Sequence, residues 1–120
     1  MTMILVGYVI GLCLLTVLLE SIPVLFVGDR GAWWRASVIC NIITNPPLNM
    51  TVLLLSAYLS DTADLTPFFL LAEIAVVLTE ALLYRRMLHA SRRFCLIFSL
   101  IANALSFGMG WFASLAMLST

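Results

Sequence analysis

Residues 36–59 read ASVICNIITNPPLNMTVLLLSAYL, 24 residues with no charged side chain, three asparagines and two consecutive prolines. A helix needs about 20 predominantly apolar residues to cross the hydrocarbon core of a bilayer. This stretch is long enough to span one, yet polar at its centre. Three further runs surround it: residues 3–27, closed by Gly28-Asp29-Arg30-Gly31; residues 66–88, opened by Pro67; and residues 94–118. Proline is tolerated in a first helical turn, where its missing N–H has no partner in any case. The connections are short, so neighbouring helices pack antiparallel and no room remains for a soluble domain. The expected fold is therefore all-α, a four-transmembrane-helix bundle forming a single membrane domain over residues 1–120.

Composition agrees. Of the 120 residues, 63% are hydrophobic and only 10% are charged, and the mean hydropathy is +1.14. Soluble domains are about half apolar and a quarter charged, so the chain falls in the membrane class. The formal net charge is zero, and no nucleic-acid partner is expected. Cys13, Cys40 and Cys95 are scattered through apolar stretches, with no CxxC and no Cys/His cluster. No cofactor motif or metal centre is expected. The opening run has neither a basic n-region nor an evident cleavage site, and it reads as a retained helix rather than a signal peptide.

The charges are segregated. All six basic residues are arginines: Arg30 and Arg35 near the first loop, and Arg85, Arg86, Arg92 and Arg93 near the third. The second loop carries only Asp61 and Asp64. The positive-inside rule places the arginine-bearing loops in the cytoplasm and both termini on the non-cytoplasmic side of the cell membrane. So one-sided a bias argues against insertion in both orientations. Trp33 and Trp34 fit an aromatic belt at the arginine-bearing face, and Tyr58 fits one at the other.

The halves 1–60 and 61–120 read as an internal repeat. At an offset of 58, Arg35 falls on Arg93, Asn41 on Ser99 and Asn45 on Asn103; at an offset of 60, Glu20 falls on Glu80. Each half is then a helical hairpin with Glu in its first helix and Arg-then-Asn in its second. The two hairpins would be parallel repeats about an axis along the membrane normal.

Ionisable groups inside a bilayer cost about 2.5–3.5 kcal/mol on insertion scales, and they persist where they face a bundle interior or line water. Glu20, Glu73 and Glu80 are accordingly the first candidates for function. At about 1.5 Å per residue, Glu20, Glu80, Asn41, Ser99, Asn45 and Asn103 fall roughly 8–14 Å from the arginine-bearing face, in one layer. Glu73 and Asn49 form a second layer nearer the other face. Glu73 and Glu80 are seven residues apart and share a helix face, which Tyr84 continues at i+4. Asn41, Asn45 and Asn49 form one stripe, and Ser99, Asn103, Ser106 and Gly110 another, of the kind that brings transmembrane helices close. Pro46 and Pro47 remove two backbone donors and free the carbonyls of Ile42 and Ile43, so a kink or break is expected in mid-membrane. Pro23 marks a similar weak point after Glu20.

These features fit a small transporter or channel subunit for a cation, a proton or a small solute. Glu20 and Glu80 would couple, Asn45 and Asn103 would bind or orient the substrate, and Glu73 with Asn49 would form the outer access point. Four helices make a thin bundle, so a homodimer or larger assembly in contact with membrane lipids is expected. A second reading is an intramembrane enzyme, or enzyme subunit, using paired carboxylates on a lipid or isoprenoid-like substrate, although no nucleophile pair or phosphate-binding motif accompanies them. A third is a non-catalytic partner of another membrane protein.

Overall fold

The computed structural model describes residues 2–59 and 64–119, without the side-chain surroundings of residues 5, 9, 56, 110, 111 and 113–118. Asp61 and the position of Gly110 in its stripe lie outside the described residues. Four helices follow one another: α1 (Thr2–Glu20), α2 (Arg30–Tyr58), α3 (Thr66–Leu88) and α4 (Arg92–Leu118), with a 3-10 turn at Pro23–Phe26 after α1. Each corresponds to a segment long and apolar enough to cross a membrane. Leu, Ile and Phe side chains crowd the outer surface, among them Leu14, Leu18, Ile42, Leu71, Ile97 and Leu100. Helices exposing apolar side chains on this scale suit a lipid surround rather than water.

The helix ends differ from the hydropathy reading for local reasons. The first helix does not run to residue 27. Pro23 lacks an N–H and its ring opposes the carbonyl four residues back, so α1 stops at Glu20 and the chain continues as the 3-10 turn. The second helix starts six residues earlier than expected, because the Asp29 carboxylate caps it by accepting from the N–H of Ala32 at 3.3 Å. Ser91 serves α4 in the same way, accepting from Phe94 N–H at 3.2 Å. Helix α3 closes on His89, whose left-handed backbone (φ 51°) lets its N–H reach the Arg85 carbonyl. Arginines thus lie within helix ends, where long side chains can carry their charge outward.

The expected break at Pro46-Pro47 does not occur, for α2 is one continuous helix across both prolines. In an apolar medium every backbone group left unpaired is costly. A helix that tolerates two missing donors loses less than one that unwinds. Ile42 and Ile43, whose carbonyls lose these partners, are exposed on the outer face.

Each helix packs on its neighbours in sequence, and α4 closes back on α1. The result is a four-cornered bundle within an envelope of 44 × 28 × 25 Å. The start of α2, the end of α3 and the start of α4 meet at one end, where Trp33 lies against Tyr84, Phe94 and Phe98 with ring centroids 5.5, 5.1 and 4.6 Å away. All six arginines belong to this end. Trp33 is therefore not part of an interfacial belt. It is 7% exposed and plugs the bundle, whereas Trp34 is 48% exposed and faces outward. Among the described residues, the fully buried side chains are confined to this half. Beyond Asn45, Val76 and Asn103, and before Glu20, no described side chain is fully buried.

Candidate functional site

Just inside the aromatic plug lies a buried polar layer. Glu20, at the last turn of α1, and Glu80, two turns before the end of α3, are both 0% exposed. Asn41 of α2 donates from Nδ2 to Glu20 Oε2 at 2.7 Å and to the Ser37 carbonyl at 2.9 Å. Asn103 of α4 donates from Nδ2 to Glu80 Oε2 at 2.7 Å and to the Ser99 carbonyl at 2.9 Å. Each amide nitrogen faces two acceptors, which fixes which end of the amide points at the carboxyl.

The second oxygens are served from across the bundle. Thr44 Oγ1, on α2, lies 2.7 Å from Oε1 of Glu80. Ser106 Oγ, on α4, lies 3.4 Å from Oε1 of Glu20. Each carboxyl therefore receives an amide from its own helical hairpin and a hydroxyl from the other. The four donors and carbonyls of α2 and α4 correspond at a constant offset of 62 residues: Ser37 with Ser99, Asn41 with Asn103, Thr44 with Ser106, and the helix starts Arg30 with Arg92. This is one helical turn away from the offset of 58 that the sequence suggests. In bonding a buried glutamate, Asn103 is matched by Asn41 rather than by Asn45. Asn45 instead donates to the Asn41 amide oxygen, buttressing it from one turn further along α2.

Among the described residues, no basic side chain acts on either carboxyl. The groups that act on them are Asn, Ser and Thr donors and the other glutamates, with no arginine among them. Among the described residues, no group of three or more His, Cys, Asp and Glu side chains forms a metal centre. Tyr84, one turn below Glu80, is fully buried in the aromatic plug. Among the described residues, its hydroxyl and that of Ser37 are buried side-chain atoms without a hydrogen bond of normal geometry, although they lie near enough to interact with each other and with Cys40.

The expected outer pair is not assembled. Asn49 turns toward α1, with Nδ2 3.9 Å from Cys13 Sγ. Glu73 is half-buried in a groove of about 310 Å³ between α3 and α4, lined by Leu70, Ile74, Val77, Phe107 and the edge of Asn103. Sequence reasoning missed Ser37 and Thr44. The available signal was helical spacing: Ser37 precedes Asn41 by four residues and Thr44 follows it by three, on the same face.

Fold and site together define a class: a four-helix chain apolar enough to cross a membrane, with a buried layer of carboxyl, amide and hydroxyl groups. Comparison with known proteins yields no matching family model, no matching curated protein and no matching solved structure.

Proposed function

We propose that the chain is a small integral membrane transporter or channel subunit, moving a cation, a proton or a small solute through the layer that holds Glu20 and Glu80. The observation that carries this reading is the crossed pairing of each carboxyl, with an amide from its own hairpin and a hydroxyl from the other. A structural knot needs no ionisable group, since glutamine would bond equally well without the cost of an unpaired carboxylate in an apolar core. A pair of carboxyls whose ligands straddle two hairpins ties their occupancy to how the hairpins sit on one another. That is the coupling a transport cycle requires.

The packing supports the same reading. The layer is sealed toward the arginine-bearing end by Trp33, Tyr84, Phe94 and Phe98, while the opposite half has no fully buried described side chain. An aromatic-sealed end and an opposite half whose described side chains are half-buried or exposed suit a site reached from one side at a time. In this proposal the hairpins are parallel repeats in the register of Asn41 with Asn103. The arginine-bearing end lies in the cytoplasm, both termini lie outside, and the open half is completed by a second copy of the chain in the cell membrane.

The test is flux into proteoliposomes across a panel of ions and imposed pH gradients, wild type against Glu80→Gln. Transport predicts an ion- or pH-dependent signal that Glu80→Gln abolishes. No signal under any condition would count decisively against it.

The groove between α3 and α4 favours a second reading. It is apolar, opens sideways, and brings a ligand chain alongside Glu73 and the Asn103 that holds Glu80. An enzyme acting on a lipid-like substrate would use such an entrance. Turnover of lipid by the purified protein, lost in Glu73→Gln, would select this reading over transport.

A further inference from the structure

We propose that the ligand of the Glu20/Glu80 layer is the proton itself, held on Oε1 of each carboxyl and exchanged through the hydroxyls of Thr44 and Ser106. This deepens the transport reading by naming the ion, and the site stands or falls separately from transport.

The argument begins with hydrogen counting. A hydroxyl has one hydrogen to give and can also accept. Thr44 Oγ1 faces two acceptors, the Cys40 carbonyl at 2.9 Å and Glu80 Oε1 at 2.7 Å. Ser106 Oγ likewise faces the Asn103 carbonyl at 3.1 Å and Glu20 Oε1 at 3.4 Å. One hydrogen cannot satisfy both acceptors. A proton on Oε1 removes the conflict: the carboxyl O–H donates to the hydroxyl oxygen, and the hydroxyl donates to its own helix carbonyl. Without that proton, the hydroxyl turns to the carboxylate and leaves the carbonyl to the backbone alone. Each hydroxyl is thus a two-position switch set by the proton on its glutamate.

The same geometry disfavours a metal cation. Such an ion needs several oxygen lone pairs directed at it. Here the amides of Asn41 and Asn103 present N–H groups to the carboxyls, and the Asn41 oxygen is engaged by Asn45. The remaining titratable groups around the layer are Glu73 and Tyr84 on α3 and Cys40 on α2, with no basic residue from any packed helix among the groups acting on either carboxyl.

A second observation points the same way. The Ser37 and Tyr84 hydroxyls are fully buried beside this layer, near enough to interact with each other, and neither makes a hydrogen bond of normal geometry to another group. Placed between Glu80 and the arginine-bearing end, they supply the next donor–acceptor station for a proton leaving through the plug.

The experiment is infrared difference spectroscopy of the purified full-length protein in lipid nanodiscs, titrated with acid and base. The expected result is a protonated carboxyl C=O band at neutral pH that is lost on alkalinisation and shrinks in both Glu20→Gln and Glu80→Gln. Thr44→Val should shift the band of the Glu80 carboxyl, and Thr44→Ser should restore it; Ser106→Ala should shift the Glu20 band and spare that of Glu80. Thr44→Ser keeps the test decisive if a glutamine variant fails to fold. Absence of the band at neutral pH in folded wild type overturns the proposal, as does its displacement by sodium, potassium or calcium at fixed pH. A band that titrates without proton flux in proteoliposomes rejects transport and keeps the proton site. Flux of another ion with no band does the reverse.

Discussion

The hydroxyl of Thr44 lies 2.7 Å from Oε1 of Glu80, a contact that crosses from the first helical hairpin to the second. Its mirror, Ser106 on Glu20, crosses the other way. Single substitutions should therefore be felt across the bundle. Asn41→Leu and Asn103→Leu each strip a buried carboxyl of its amide and should each destabilise by about 1–3 kcal/mol, the penalty of an unsatisfied buried polar group. In a double-mutant cycle, Thr44→Val should couple to Glu80→Gln by about 0.5–3 kcal/mol and be additive with Glu20→Gln within about 0.5 kcal/mol. Reversible unfolding in bicelles measures both, and equal coupling to the two glutamates would contradict the crossed arrangement.

The two adjacent tryptophans should behave differently. Trp33 makes three ring contacts in the plug, while Trp34 faces outward. Aromatic pairs contribute about 0.5–1.5 kcal/mol each. Trp33→Ala is expected to cost several times what Trp34→Ala does, the latter staying within about 0.5 kcal/mol. Fluorescence of the single-tryptophan variants at these positions should show Trp33 shielded from a soluble quencher and Trp34 reached by it.

Pro46 and Pro47 sit inside a continuous helix. Replacing either with alanine returns an N–H opposite a free carbonyl and removes a residue that costs about 3 kcal/mol in a helix interior. Pro46→Ala and Pro47→Ala should leave thermal stability unchanged or raise it. If the prolines set a hinge for transport, flux should fall in the same variants. A loss of stability would mean that the prolines pack in a way alanine cannot replace.

Cysteine labelling reads the openness of the two halves. Cys13 is half-buried in α1, while Cys40 and Cys95 are 0% and 1% exposed. A small water-soluble maleimide should modify Cys13 in preference to the other two, and denaturation should release all three. Rapid labelling of Cys40 in the folded protein would show that the plug does not seal.

Asp64 sets a small acid sensitivity outside the membrane-spanning segments. Its carboxylate accepts from the Thr66 N–H at 3.0 Å at the start of α3, and this hydrogen bond holds its pKa below the ordinary value. A depressed carboxyl contributes stability that is present above its unfolded pKa of about 3.9 and lost as pH falls through the folded value. An NMR titration of the Asp64 carboxyl should give a midpoint below that of the unfolded chain. Asp64→Ala should remove only this acidic component, and the effect should be slight, because the group is fully exposed.

By itself the sequence determined the helices, because a span of about 20 apolar residues has few other stable forms. It also determined that the residues of the 36–59 stretch carry polar groups at membrane depth, and that Glu20, Asn41, Asn45, Glu80, Ser99 and Asn103 share one level, since rise per residue fixes height along an axis. It could not determine rotation about that axis or the angle at which helices meet. These decided that Asn41 rather than Asn45 holds Glu20, that Thr44 reaches Glu80 across the hairpins, and that Asn49 and Glu73 face different neighbours. Composition placed Trp33 in a belt, while packing against Tyr84 and Phe98 put it in the core. Local rules expected the Asn45-Pro46-Pro47 segment of that same stretch to break the helix. The cost of unpaired backbone groups in apolar surroundings, which belongs to the whole fold and not to any residue, kept α2 intact.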